Sequence, residues 1–270
     1  MISRIKRILH LGGTEVPVVR LAGIIASREQ SLNLDRVAPI LDRGFALAKK
    51  TRTLLVLAIE SPGGSPVQSD LIAQYIRKKV VEDSVKVAAV IGDIGTSGGY
   101  WIACAADEIY ANPMSIVGSV GVIGGGFGLH ELLNRFGIER RVTTAGTNKL
   151  RNDPFAPARP EDVAFNRELV NDIHSQFMSW VRCRRGTTIE GHERQIFDGS
   201  YMLGTQAKEY GLIDDFSDVR TLIQKKYGKN AKPLFLAPRK SSGLVRFIMR
   251  GVATETINVL EREFQMVRVR

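Results

Sequence analysis

A serine flanked by glycines is the first feature of this sequence with clear chemical potential. Residues 95–99 read GTSGG and follow an apolar run, 87–94, that is typical of a buried strand. Residues 100–106 are rich in alanine and predict a helix. A serine at such a strand-to-helix turn projects its hydroxyl from the packed interior, and the N–H groups that begin the helix suit a developing oxyanion. The alternative interpretation is a tight glycine-rich turn with an incidental serine.

A serine hydroxyl needs a base to remove its proton, and a histidine is the first kind of base to consider. The glycines on either side of Ser97 match the nucleophile elbow of α/β-hydrolases, in which an acid and then a histidine follow the serine. His192 lies in a predicted loop and is the candidate for that partner. His130 and His174 fall within helical patterns, which favours surface or packing roles.

A lysine is the second kind of base. A Ser–Lys pair works when burial, nearby positive charge or hydrogen bonds leave the lysine amine neutral. Lys149 follows a glycine-containing turn and precedes residues 153–160, which contain three prolines and could wall the amine off from water. Taken on its own, a solvent-exposed loop lysine is the simpler interpretation.

The elements around these residues alternate between apolar strands and amphipathic helices. Apolar strands are predicted at 16–25, 53–59 and 85–94, and helices at 34–50 and 67–79. This order is typical of parallel βαβ units with helices on the sheet faces. A second glycine-rich turn, SPGG at 61–64, also follows a strand. Because the carboxyl ends of parallel strands share one edge of a sheet, we expect this turn to lie near Ser97.

The later part of the chain predicts short strands, one long helix and a basic tail. Short strands are expected at 108–110, 117–123, 140–144 and 195–199, and a long helix at 161–185. Residues 225–233 have the composition of a polar linker, and 244–264 fit one amphipathic helix. We therefore expect an N-terminal basic segment (1–15), a catalytic core (16–220), and a basic linker with an amphipathic C-terminal helix (221–270).

Composition limits the class of protein. The 270 residues are 44% hydrophobic and 24% charged, which is typical of a globular protein with a sizeable core. Cys104 and Cys183 give neither a disulfide framework nor a metal-ligand pattern, so a reducing compartment and no metal are expected. No apolar stretch reaches the ~20 residues of a membrane span, and the first dozen residues lack the apolar region of a secretory signal.

The formal charge of +10 is concentrated near the C-terminus. Between residues 220 and 254 there are nine Lys or Arg residues and no Asp or Glu, while the remaining chain is nearly balanced. This distribution argues against a nucleic-acid-binding fold and for a tail that meets an acidic surface. The expected location is cytoplasmic, with peripheral membrane contact through the basic tail.

Several motifs in a fixed order resemble a known enzyme family. They are SPGG at 61–64, TSGGYWIA at 96–103, GSVGVI at 118–123, AGTNK at 145–149, FDG at 197–199, and Ala207 with GLID at 211–214. Together they are similar to the signal peptide peptidase A family of serine peptidases, the S49 family, over roughly residues 16–215. The resemblance implies an α/β fold with a ClpP/crotonase-like core of stacked ββα units, here followed by a C-terminal helical extension.

The same resemblance implies an active site and a mechanism. Ser97 would be the nucleophile, Lys149 the general base, and the N–H groups of Gly64 and Gly98 the oxyanion hole, with no metal or cofactor. The substrates would be hydrophobic unfolded peptides such as remnant signal peptides, cleaved through an acyl-enzyme. In this family the lysine and serine can come from neighbouring subunits or tandem halves. One serine motif and one lysine motif resemble the short form that assembles into a ring, a homo-oligomer with active sites near subunit interfaces.

Two features depart from the family pattern, and three alternative functions stay open. Glu60 stands where an asparagine usually precedes SPGG, which bears on the ring contacts or the pocket. The common N-terminal membrane anchor is not found, which favours a cytoplasm-facing enzyme. The alternatives are a catalytically silent ring-forming scaffold at a membrane surface, an α/β-hydrolase-type esterase that uses Ser97 and His192, and an acyl-CoA enzyme on the related crotonase fold.

Overall fold

The part of the chain that the structure describes, residues 13–237 of a computed structural model, is organised around one eight-stranded sheet. The predictions for the N-terminal dozen residues and for the C-terminal helix at 244–264 lie outside the described residues. The strands are β1 (Glu15–Ala22), β2 (Leu55–Ser61), β3 (Val87–Thr96), β4 (Glu108–Ala111), β5 (Ile116–Gly118), β6 (Tyr201–Leu203), β7 (Asp215–Phe216) and β8 (Lys232–Leu236).

Strand pairing brings the carboxyl ends of the strands to one edge of the sheet. The spatial order is β6-β5-β3-β2-β1-β8, β4 pairs with the first half of β3, and β7 pairs with β4. Every pairing is parallel except that of β5 with β6. The loops after β2 and β3 therefore emerge side by side, as the alternation of strands and helices predicts.

Helices connect the strands and cover the sheet. They are α1 (Leu34–Thr51), α2 (Pro66–Asp83), α3 (Gly98–Ala103), α4 (His130–Arg135), α5 (Pro160–Arg185), α6 (Glu193–Ile196), α7 (Gly204–Glu209) and α8 (Val219–Tyr227), with a 3₁₀ turn at Gly186–Ile189. The side chain of Asn33 accepts the N–H of Arg36 and fixes the start of α1. Ser65 caps α2 in the same way, directly after the turn that follows β2.

Both faces of the sheet are buried. In β2, Leu55, Leu57 and Ile59 pack with residues of α1, α2 and α3 on one face. Val56 packs on the other face with Leu222 of α8. Neither face of the sheet is exposed to water along its central part. The sequence of β2 is therefore a continuous apolar run and not an alternation of apolar and polar residues.

Helix α3, which begins directly after Ser97, is held inside the protein. All six of its residues are buried. The hydroxyl of Tyr100 donates to the carbonyl of Leu212 at 2.7 Å, and Nε1 of Trp180, on α5, donates to the carbonyl of Trp101 at 3.0 Å. The turn at Ser97 is therefore attached to an element that cannot move without disturbing the core.

Two of the predicted short strands are wrong. Residues 140–144 are exposed and form no strand, and residues 193–196 are the helix α6, followed by strand β6 at Tyr201–Leu203. Short apolar runs cannot be assigned from their periodicity alone, because strand and helix patterns coincide over four or five residues.

The polar linker predicted at 225–233 is instead the end of α8, a turn and the start of β8. Strand β8 pairs with β1 from Glu15↔Lys232 to Val19↔Leu236, and the hydroxyl of Tyr227 accepts the N–H of Leu54 at 2.7 Å. Strand β8 lies at the sheet edge, where lysine and proline are tolerated, so its composition resembles that of a linker. The compact unit runs through Leu236, and the three-part division of the chain stays a prediction.

Candidate active site

Ser97 occupies the turn between β3 and α3 in a strained backbone conformation. Its φ of 51° and ψ of −123° lie in a region that residues with a side chain rarely adopt. The N–H of Ser97 donates to the carbonyl of Gly118 at 2.8 Å, and the carbonyl of Ser97 accepts the N–H of Trp101 at 2.9 Å. Strain that is held in place by surrounding hydrogen bonds is characteristic of functional turns, and of nucleophile elbows in particular.

The SPGG turn packs directly against Ser97, as the sheet topology predicts. A Cβ atom on Gly63 would lie 2.7 Å from Cβ of Ser97, and one on Gly64 would lie 2.0 Å from the carbonyl oxygen of Ile25. Both glycines have positive φ, 101° and 144°. Only glycine fits at these two positions, because the backbones approach each other more closely than a side chain permits.

The N–H groups of Gly64 and Gly98 lie close together beside the serine. A Cβ atom on Gly98 would be 3.4 Å from the nitrogen of Gly64. Within residues 13–237, neither N–H donates a hydrogen bond to the protein. Two free backbone donors next to a serine can stabilise the negative charge of a tetrahedral intermediate.

A cavity of about 810 Å³ opens at Ser97, with both polar and apolar residues in its lining. The lining includes Ser97, Gly64 and Gly98 and several residues of α5. Trp101 and Phe177, whose rings lie 4.7 Å apart, form part of its wall. Further apolar lining comes from Val122, Ile123, Val170 and Ile173. This cavity is suited to apolar side chains of a ligand that presents a reactive group to Ser97.

Lys149, the predicted general base, lies outside the lining of the cavity at Ser97. It is exposed in the segment between β5 and α5, and it does not line the cavity at Ser97. No hydrogen bond joins Lys149 to Ser97 among the described residues; the backbone N–H of Lys149 donates to the carbonyl of Gly146 at 3.2 Å. A single chain therefore brings together Ser97, Gly64 and Gly98 but not the predicted base.

The segment that carries Lys149, residues 119–159, is called the arm below. It contains the short helix α4 and otherwise consists mainly of exposed irregular backbone. Large apolar side chains are exposed along it, namely Ile123, Phe127, Leu132, Phe136, Ile138, Val142, Leu150 and Phe155. A segment that exposes many large apolar side chains is typical of a protein interface.

Of the histidines that follow Ser97, His174 lines the cavity and His192 does not. His192 stacks on Tyr210 with ring centroids 4.6 Å apart and is not part of the cavity lining. His174 does line the cavity, and its Nε2 atom lies 2.9 Å from the carbonyl oxygen of Val120. The helical pattern around His174 predicted a surface or packing role and not a position in the cavity wall. Its spacing from Val170 and Phe177, one helical turn on either side, is the signal that places it on the cavity face of α5.

Two buried groups behind the turn stay protonated. Burial raises the pKa of Tyr100 well above its usual value and raises the pKa of Cys104 to about 12. Cys104 is therefore a packing residue and not a nucleophile. Within the described range, no group of three His, Cys, Asp or Glu side chains is arranged to hold a metal ion.

The fold and the site together define a class of protein. A mostly parallel α/β sheet presents a strained serine at a strand-to-helix turn, beside a cavity and two N–H donors that have no partner among residues 13–237. This arrangement is typical of serine hydrolases. The family model described as Peptidase family S49 matches residues 79–231. This chain belongs to that family, and the resemblance drawn from the motifs is confirmed.

Two named relatives are similar to most of this chain. A Na(+)/H(+) antiporter NhaA from Brucella abortus (strain 2308) is 42% identical over 250 residues, which is 91% of this chain but 33% of that protein. The chain thus spans about a third of that relative. A putative protease, slr0021, from Synechocystis sp. (strain ATCC 27184 / PCC 6803 / Kazusa) is 34% identical over 196 residues, which is 73% of this chain and 67% of that protein.

A solved structure supports the fold assignment. The 1510-N membrane-bound stomatin-specific protease aligns with a TM-score of 0.51 at 16% identity, covering 84% of this chain and 100% of that one. The predicted ClpP/crotonase-like α/β class is confirmed. Among the described helices, none is long and apolar enough to cross a membrane. Membership of S49 and the relatives named as proteases support a serine peptidase.

Proposed function

We propose that this protein is a serine endopeptidase whose active site is completed by a second copy of the chain. Ser97 is the nucleophile, Gly64 and Gly98 provide the oxyanion hole, and Lys149 of a neighbouring subunit is the general base. The observation that carries the proposal is that, within one chain, the predicted base does not share a cavity with the predicted nucleophile. Ser97, Gly64 and Gly98 line one cavity together with the first residues of the arm, whereas Lys149, farther along the arm, is exposed and does not line it.

The chemistry follows from these roles. The neutral amine of Lys149 removes the proton of the Ser97 hydroxyl as its oxygen attacks the peptide carbonyl, and the oxyanion accepts the N–H groups of Gly64 and Gly98. Lys149 then donates this proton to the leaving amine as the C–N bond breaks, which leaves an ester on Ser97. Finally, Lys149 takes a proton from water, the hydroxide attacks the ester, and the proton returns to Ser97 as the acid leaves.

The apolar residues of the arm support the assembly. A surface of this kind is costly to leave in water, and a second copy that covers it would bring a lysine towards each serine. In a ring each arm would reach the next subunit, so that the number of active sites equals the number of subunits. The homo-oligomer expected from the sequence thus becomes a condition for activity.

The lining of the cavity at Ser97 supports hydrophobic peptides as the proposed class of substrate. Its walls, with Trp101, Phe177, Val170 and Ile173, are suited to hydrophobic side chains of an unfolded peptide, and remnant signal peptides have this character. Cytoplasmic location and peripheral membrane contact through the basic tail remain predictions from the sequence. Five of the nine cationic residues between 220 and 254 belong to the folded unit, in α8, β8 and the turn between them, and the other four lie outside the described residues.

A complementation experiment tests the proposal. Ser97→Ala and Lys149→Ala should each abolish peptide hydrolysis while the oligomer stays intact, and Lys50→Ala, at an exposed position at the end of α1, should stay active. When the two inactive variants are produced together, about a quarter of the sites would combine an intact serine with an intact lysine and recover activity. If the two variants produced together recover no activity, Lys149 acts on the Ser97 of its own chain.

Other outcomes favour the alternatives. If Lys149→Ala stays fully active while His192→Ala is inactive, the protein is an α/β-hydrolase-type enzyme. If a fluorophosphonate fails to label Ser97 in the assembled protein, a non-catalytic scaffold is favoured. Mass spectrometry of peptides cleaved by the wild type but not by Ser97→Ala would identify the substrates.

A further inference from the structure

The strand that leads to Ser97 is irregular beside its neighbour β2. Ile59 pairs with Ile91, and the next register pair joins Ser61 to Gly95, so two steps along β2 correspond to four along β3. The extra length lies in residues 92–94, just before the turn. Backbone N–H groups in such a bulge lose their partners in the ladder and need other acceptors.

The side chain of Glu60 supplies those acceptors. Its Oε2 atom accepts the N–H of Asp93 and its Oε1 atom accepts the N–H of Ile94, both at 3.1 Å. The backbone carbonyl of Glu60 accepts the N–H of Gly23 at 2.9 Å, which ties the same residue to the end of β1. Hydrogen bonds to a carboxylate are stronger than those to a neutral acceptor, so one side chain replaces the two missing bonds of the ladder.

Gly92 makes room for this carboxylate. A Cβ atom at position 92 would lie 2.1 Å from Oε2 of Glu60, whereas the nearest atom outside that side chain, the carbonyl oxygen of Ile59, would be 3.6 Å away. The φ of Gly92 does not lie in the left-handed region. The glycine is therefore required by the carboxylate of Glu60 and not by its own backbone conformation.

Glu60 does not touch the cavity that contains Ser97. It lines a separate cavity of about 600 Å³, together with Arg20, Asp93 and Phe235. The hydrogen bonds of its carboxylate act on Ser97 through β3, whose residues 94–96 join the bulge to the strained turn.

We propose that Glu60 is a positioning residue for the nucleophile: its carboxylate fixes the bulge at 92–94 and thereby holds Ser97 in its strained conformation. This inference rests on the proposed role of Ser97 in peptide hydrolysis. A misplacement of a nucleophile by about 1 Å can cost about 100-fold in rate, so two hydrogen bonds three residues away are sufficient to matter.

A double-mutant cycle tests the coupling. Glu60→Ala and Gly92→Ala should each lower kcat by about tenfold or more, with KM within about twofold of the wild type. The double variant should be no worse than Glu60→Ala alone, because the new methyl group no longer meets a carboxylate. If the losses in kcat of the two single variants multiply in the double variant, or if only KM changes, the proposal is wrong.

Two further variants serve as controls. Glu60→Gln keeps the length of the side chain but only one acceptor oxygen, so its kcat should lie between those of the wild type and Glu60→Ala. Asp93→Asn removes a negative charge from the same cavity and leaves both backbone hydrogen bonds in place, so its kcat should stay within about twofold of the wild type. If Asp93→Asn lowers kcat as much as Glu60→Ala does, the effect comes from the negative charge in this cavity and not from the positioning of the bulge.

A measurement that does not require activity separates this inference from the proposed function. In Glu60→Ala, amide hydrogen exchange at Asp93 and Ile94 should be about tenfold faster or more, with the exchange of α8 and the oligomeric state unchanged. If the wild type neither cleaves peptides nor reacts with a fluorophosphonate, the proposed function fails, and the exchange rates still report whether Glu60 holds the bulge. Unchanged exchange in Glu60→Ala would refute the inference even in an active enzyme.

Discussion

Gly64→Ala is the substitution that most directly tests the geometry of the oxyanion hole. The new Cβ atom would lie 2.0 Å from the carbonyl oxygen of Ile25, so the backbone at Gly64 must move by about 1 Å or more to reach an ordinary contact distance. The turn is held against Ile25 by two hydrogen bonds, from Ile25 to the carbonyl of Gly63 at 2.9 Å and from Ser65 to the carbonyl of Ile25 at 2.8 Å. A rigid backbone oxygen cannot swing aside, so the turn itself is displaced.

The size of the effect follows from the role of the displaced N–H group. Loss of one oxyanion-hole donor costs about 100-fold to 1000-fold in kcat, or about 3 to 4 kcal/mol of transition-state stabilisation. The donor acts on the tetrahedral intermediate and not on the bound peptide, so KM should change little. Gly64→Ala should also react more slowly with a fluorophosphonate, because phosphonylation of Ser97 passes through a similar anionic geometry.

Gly228→Ala is the matched control for this experiment. Gly228 also has a positive φ, 93°, but an added Cβ atom there would meet no atom within 4 Å. The control should lose about 1 to 3 kcal/mol of stability from backbone strain and keep the kcat of the wild type. A folded, assembled Gly64→Ala variant with kcat within about threefold of the wild type would refute the assignment of Gly64, as would an equal loss in Gly228→Ala.

Three further predictions concern stability and reactivity. Tyr100→Phe should lower the free energy of unfolding by about 1 to 3 kcal/mol, measured by chemical denaturation, because the buried carbonyl of Leu212 loses its donor. The Thr221 hydroxyl, together with backbone N–H groups, lowers the pKa of Asp218 at the start of α8. The Asp218 contribution should thus be present above its unfolded pKa and lost as pH falls through the lower folded value, so Asp218→Asn should flatten the acid limb of a pH–stability curve. At pH 8 the native protein should be alkylated at exposed Cys183 and not at Cys104, whose pKa is about 12, and a second alkylation in the native state would contradict the packing of α3.

Much of the fold could be predicted because its signals are local. The apolar runs that became β2 and β3, the amphipathic helices between them and the glycine-rich turn at Ser97 depend on residues close in sequence. Strand β8 was missed because an edge strand is stabilised by its partner β1, and its own composition resembles a linker. The strand expected at 140–144 is not formed for the converse reason, since no strand within residues 13–237 pairs with it.

The sequence by itself determined that a serine would stand at the end of a buried strand, beside a second glycine-rich turn, and the motifs identified the family. The tertiary structure alone decided how these parts meet. It brings the free N–H groups of Gly64 and Gly98 together, turns His174 towards the cavity and leaves Lys149 exposed on the arm. It also uses Glu60 to replace the missing ladder bonds of the bulge before Ser97. Apart from the helical spacing that places His174 beside Val170 and Phe177, these features depend on contacts between residues that are distant in sequence, and composition and periodicity carry no record of such contacts.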